Sequence, residues 1–240
     1  MSKPKKSYGF FVAWRILRLL FVLLICAISA LLFWRVFLSG RLPKEMRRVA
    51  PNEVLHACAG TDGSLSAFTQ KQSTATRGEN NSGYFSVPRF VILPEAGQVQ
   101  VVFRYNNSTL RATKEDFQLD AVPEKGAEIY DVSLLLFRDL TPENKEDNRD
   151  GSDTLEQVRI APTSKTVATT GLYTYFLYTF DGVTLENVPV IYFDIYFPNG
   201  EPVDYSKTPY GTLRIYHEES ERVAVSLSSA EKKAIADFTP

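Results

Sequence analysis

Leu172–Phe180 reads LYTYFLYTF and Val188–Phe197 reads VPVIYFDIYF. Both put large apolar side chains at a period of two. In the first, Leu172, Phe176, Tyr178 and Phe180 fall on one face and Tyr173, Tyr175 and Leu177 on the other. In the second, Ile191, Phe193, Ile195 and Phe197 oppose Tyr192, Asp194 and Tyr196. Aromatic and β-branched residues at this spacing predict strands. Asp181-Gly182 follows the first and Asn199-Gly200 the second, and both dipeptides favour tight turns. If the two strands pair as a hairpin, Tyr173, Tyr175, Tyr192 and Tyr196 form one aromatic platform beside Asp194. Such a surface suits a sugar or a peptide, because each ring offers area and a hydroxyl. The plainer expectation is that this face lies under another layer and that Asp194 faces solvent.

The same period extends outward. Gln98–Tyr105 places Val99, Val101, Phe103 and Tyr105 on one face. Ile129–Arg138 holds the run Leu134-Leu135-Leu136-Phe137, apolar on both faces and so central in a sheet. Tyr84–Leu93 is interrupted by Pro88, which predicts an edge strand or a bent one. Leu155–Ala161 and Thr212–Tyr216 are further strands, Thr109–Thr113 and Phe117–Val122 weaker ones, and Val54–Ala59 the first. Gly60–Asn81, rich in Gly, Ser, Thr, Asn and Gln, reads as a long loop. Ser228 to Glu231 fits a capping box that opens a short C-terminal helix over Lys232–Phe238. About nine strands without a βαβ rhythm predict an all-β fold, a β-sandwich.

The N-terminus obeys different rules. Ile16–Leu38, ILRLLFVLLICAISALLFWRVFL, is free of charge from Leu19 to Trp34. A helix of that length spans about 34 Å, enough to cross a bilayer's hydrocarbon core. Trp14, Arg18, Trp34 and Arg35 sit near its two ends, as interfacial anchors would, and the protein has no other tryptophan. Ala27-Ile28-Ser29 is followed directly by more apolar residues, so cleavage there is not expected. Leu55-His56-Ala57-Cys58 resembles a lipid-attachment box, but the charged flank Lys44–Glu53 argues against one. The expected organisation is a cytoplasmic tail over 1–15, a transmembrane helix over 16–38, a juxtamembrane stalk over 39–52 and an extracytoplasmic domain over 53–240. Basic residues flank the span about equally. Orientation is therefore set by the alternative, in which a short lysine-bearing tail would have to cross the membrane unaided.

Charge divides the chain in the same place. The first 41 residues carry seven Lys or Arg and no acid, while 20 basic and 28 acidic side chains follow, a net of −8. An acidic body excludes nucleic acid as a partner, which needs a basic face. With Cys26 in the span, Cys58 has no partner for an intramolecular disulfide, and a free, partly buried thiol is its ordinary reading. His56 and His217 are the only histidines, so neither a metal cluster nor a nucleophilic triad is indicated.

Two candidate chemistries remain. In the acidic stretch Asp139–Asp153, setting Gly151 at the sixth position of a calcium loop puts Glu146, Asn148 and Asp150 at the first three ligand positions. The twelfth position is then Gln157, where a bidentate Glu is wanted, so a solvated loop is the simpler expectation. No other cofactor is called for. Paired carboxylates could hydrolyse a glycosidic bond, with the acidic loop or Asp194 as the place to look. Asn80-Asn81-Ser82, Asn106-Asn107-Ser108 and Asn107-Ser108-Thr109 match the glycosylation acceptor pattern. The function expected from these residues is a non-catalytic binding module or accessory subunit at the cell envelope. Its partners are the bilayer and an envelope protein, peptide or glycan; an envelope hydrolase or transferase is the alternative.

Overall fold

A computed structural model describes residues 8–34, 41–59, 66–70, 76–77, 85–139, 155–184, 190–197, 202–216, 222–224 and 227–238. It divides into two compact units, Met1–Leu42 and Pro43–Pro240. The first contains α1, Tyr8–Phe33. Its segment Val12–Phe33 has a mean hydropathy of 2.8 and is long and apolar enough to cross a membrane. Arg18 lies 5.3 Å from the Trp14 ring, one turn away on the helix. Trp34 is exposed, and Arg35 lies outside the described residues.

The second unit is mostly β, with eleven strands among the described residues rather than about nine. In chain order they are β1 (Ser66–Gln70), β2 (Thr76–Arg77), β3 (Phe85–Leu93), β4 (Gln98–Asn106), β5 (Asp131–Asp139), β6 (Leu155–Ile160), β7 (Ser164–Thr169), β8 (Tyr173–Asp181), β9 (Val190–Tyr196), β10 (Gly211–Tyr216) and β11 (Arg222–Ala224). They form a six-stranded sheet, β11-β1-β3-β4-β8-β7, and a five-stranded sheet, β2-β10-β9-β5-β6. Every pairing is antiparallel.

The two aromatic strands do not form the expected hairpin. β8 pairs with β4 and β7, whereas β9 pairs with β5 and β10. Their apolar faces meet through the core instead: the Phe193 ring lies 6.4 Å from Tyr178 and 6.0 Å from Phe180. One buried cluster draws on both sheets, with Val99, Phe103 and Phe180 from one and Leu134, Phe193 and Ile215 from the other, each fully buried. Two strands that are apolar on one face gain more by burying those faces against each other than by lying side by side.

Local chemistry explains the other departures. Pro88 lies in β3 outside the Phe90–Ile92 stretch that pairs with β1, and the register with β4 shifts between Ser86 and Arg89; this bulge is the bend the proline predicts, and it accommodates the missing N–H. Val54–Ala59, expected as a strand, lies in α2 (Glu53–Ala59), because Asn52 Oδ1 accepts the Leu55 N–H at 2.8 Å and caps the first turn. Thr109–Thr113 and Phe117–Val122 are not strands either. Asn106 Oδ1 accepts the Ser108 N–H at 2.9 Å, starting a 3₁₀ turn over Asn107–Thr109 that runs into α3, Leu110–Asp116, with Leu110 and Thr113 buried. β1 and β2 form inside the stretch expected as a loop, and β7 is an exposed edge strand without a strong sequence signal.

The capping box is present. Ser228 and Glu231 open α4 as expected, but the helix spans Ser229–Ala236 rather than Lys232–Phe238. This helix holds down the segment expected to be a stalk. The second unit begins at Pro43, Met46 and Val49 are buried, and the Val49 N–H donates to Glu231 Oε1 at 2.8 Å. Arg89 Nη1 donates to the Met46 carbonyl at 3.0 Å. A second apolar cluster of Val49, Leu55, Val91, Leu93, Ala96 and Ile235 covers the outer side of the six-stranded sheet.

Candidate functional site

The outer side of the five-stranded sheet carries a polar cluster that joins four strands. Because Ile191, Phe193 and Ile195 point to the core, Asp194 and Tyr196 must point away from it. Register then sets their neighbours: Ser133 of β5 and Thr212 of β10 stand opposite Asp194. On β6, Val158 and Ile160 pack against the core, so Arg159 projects to the outer side.

Arg159 joins these groups. Its Nη1 donates to Ser133 Oγ at 2.7 Å and lies 3.4 Å from Asp194 Oδ2, while Nη2 donates to Tyr196 Oη at 3.2 Å. Its guanidinium also lies 5.3 Å from the Tyr196 ring and 4.7 Å from the Tyr205 ring. The two rings meet edge to face at 5.2 Å. Thr212 Oγ1 donates to Asp194 Oδ1 at 2.9 Å, and Tyr205 Oη donates to Asp131 Oδ1 at 3.2 Å.

The electrostatics follow from this enclosure. Burial pushes the Asp194 carboxyl above its ordinary value, opposed by the Thr212 hydroxyl and the Arg159 charge. Burial likewise raises Tyr196, helped by the negative charge of Asp194, and raises Asp131 against the Tyr205 hydrogen bond. Both Asp194 oxygens are engaged, so the carboxylate orients Arg159. The face of the cluster open to solvent is the Tyr205 ring, 44% exposed.

The expected aromatic platform divides in two. Tyr192 and Tyr196 lie on β9, with Asp194 buried at 4% exposure rather than solvent-facing. Tyr173 and Tyr175 lie on β8 in the other sheet, where Arg104 stands 4.3 Å from the first ring and 6.0 Å from the second. Arg104 Nε donates to Ser86 Oγ at 2.8 Å, and Tyr175 is fully buried. Antiparallel neighbours, not sequence neighbours, decide which rings meet.

Glu146, Asn148 and Asp150 lie outside the described residues, as do His217 and Asn80-Asn81-Ser82. Among the described residues, no group of three or more His, Cys, Asp or Glu could hold a metal ion. His56 and Cys58 lie on α2, and His56 Nδ1 lies 2.7 Å from the Ile235 carbonyl; the Cys58 thiol lies outside the described side chains. Asn107 is buried, accepting from Thr174 Oγ1 at 2.7 Å and donating to the Thr170 carbonyl at 2.9 Å, so its amide is closed to glycosylation in the folded chain.

Sequence reasoning missed Arg159, Ser133, Thr212, Asp131 and Tyr205. The alternation of Val158 and Ile160 with Arg159 does assign Arg159 to a polar face. The cross-strand register that places it over Asp194 has no local signal. No protein-family model, curated protein or solved structure matches this chain.

Proposed function

We propose that the chain is a membrane-anchored β-sandwich, with its tail cytoplasmic and its body extracytoplasmic, acting as a non-catalytic binding module or accessory subunit at the cell envelope. The observation that carries the reading is the state of Asp194. Its two oxygens hold Thr212 and Arg159, the arrangement of a scaffold that presents an aromatic surface, and not that of a base aimed at a substrate. The core shared by both sheets supports the sandwich. The apolar α1 supports the anchor, and the difficulty of moving a lysine-bearing tail across the bilayer supports the orientation. Protease added to intact cells should digest the body, and protection of the body until lysis overturns the orientation.

A carboxylate-dependent hydrolase or transferase is the second reading, favoured by the raised carboxyl of Asp194, which suits a general acid. Asp194→Asn separates the two. A binding module hydrolyses no labelled envelope glycan and at most weakens its hold on a crosslinked partner, whereas an enzyme of envelope glycans loses hydrolysis of that glycan.

A further inference from the structure

We propose that a cleft on the body binds the positively charged side chain of a basic, extended peptide from a partner protein. The cleft has a volume of about 750 Å³ and lies where the first turn of α2, the 3₁₀ turn Pro94–Ala96 and the end of β8 meet. That size suits a long side chain with its flanking backbone. Asp181 lines it, and all three of its bonds come from neutral donors. Oδ1 accepts from Asn52 Nδ2 at 2.8 Å and Gln98 Nε2 at 2.9 Å, and Oδ2 accepts from Thr163 Oγ1 at 2.6 Å. The carboxylate is thus fixed in place, and no ion pair among the described residues neutralises it.

The surroundings favour an organic cation. Glu53 and Glu95 add two exposed carboxylates to the lining, and no Lys, Arg or His is among the described lining residues. Val54, Val183 and Phe238 supply apolar wall for the methylene stem of an arginine or lysine. A metal ion is disfavoured, because no group of three ligating side chains is assembled among the described residues. The site is also preformed: the Val183 N–H donates to the Gly97 carbonyl at 2.8 Å, locking one wall to the other. A body with a net charge of −8 draws basic partners towards it. This inference rests on the binding-module reading and adds to it a second contact, whose lining shares no residue with the Arg159 cluster.

Fluorescence anisotropy on the full chain in detergent tests it with a labelled Leu-Arg-Leu-Arg-Leu peptide, and with the same peptide carrying citrulline in place of arginine. The arginine peptide should bind, and the uncharged one should bind about tenfold more weakly. Glu53→Gln, on the surface, and Asp181→Asn should each weaken the arginine peptide by several-fold. Equal affinity for the two peptides, full affinity in both variants, or no binding overturns the cleft. Crosslinking on whole cells separates the two levels. A partner captured equally by wild type and both variants overturns the cleft and leaves the binding module standing. Glycan hydrolysis abolished by Asp194→Asn overturns the module itself.

Discussion

Arg159 Nη1 stands 3.4 Å from Asp194 Oδ2, with only 5% of the Asp194 side chain open to solvent. A buried pair adds little over an apolar pair of the same shape, but removing one partner strands the other charge. Arg159→Met should therefore destabilise the body by about 3 kcal/mol. Asp194→Asn keeps the shape and should lose less. The double variant should lose clearly less than the two single losses added together, because neither charge is then stranded. Urea unfolding of the full chain in detergent measures all three, and strict additivity would show that the pair is not coupled.

Glu231 makes stability sensitive to acid. Burial acts to raise its carboxyl, but the Ser228 hydroxyl with the Val49 and Ser228 amides brings it below the ordinary value of 4.5. The folded chain thus holds this proton more weakly than the unfolded chain does. The resulting stabilisation is complete above about pH 5 and is lost as pH falls through the lowered folded value. Glu231→Gln should be less stable at pH 7 by about 1–2 kcal/mol, and its gap to wild type should narrow as pH falls below the ordinary carboxylate value. A melting gap unchanged from pH 7 to pH 3 would refute the assignment.

Gly211 has no room for a methyl group. A Cβ there would collide with the tip of the Phe85 ring, whose retreat is blocked by Phe103 at 5.5 Å, Tyr210 at 5.6 Å and Tyr130 at 5.7 Å. Gly211→Ala should destabilise by about 1–3 kcal/mol, and Phe85→Leu in the same chain should recover part of that loss. Thermal unfolding of the single and double variants checks the compensation.

Asn106 and Asn107 are adjacent but unequal. Asn107→Ala strips partners from the buried Thr174 hydroxyl and Thr170 carbonyl, and should lower stability by about 2 kcal/mol. Asn106→Ala removes a cap from a surface turn and should lower it by about 0.5–1 kcal/mol. Chemical denaturation that ranked them the other way would contradict the burial.

Strands with strong alternation were legible in the sequence: β4, β5, β8, β9 and β10 all fall within or near the stretches that periodicity marks. The capping box of Ser228 and Glu231 was legible too, since its signal is local. What could not be read was long-range pairing. β1 and β7 take their places by backbone pairing with β3 and β8, far from them in the sequence or without a strong alternation of their own. Val54–Ala59 has strand-like composition, yet one capping Asn52 and one buried Leu55 suffice for a helical turn. The Arg159 cluster depended on register between four strands, which no stretch of the sequence encodes by itself.

The carbonyl of Met46 and the amide of Val49 are already claimed by Arg89 and Glu231. A cut that frees this body from α1 with its fold intact would therefore have to fall upstream of Pro43. Severing the chain after Asn52 would instead unlace one side of the six-stranded sheet, leaving a damaged fold rather than a released one.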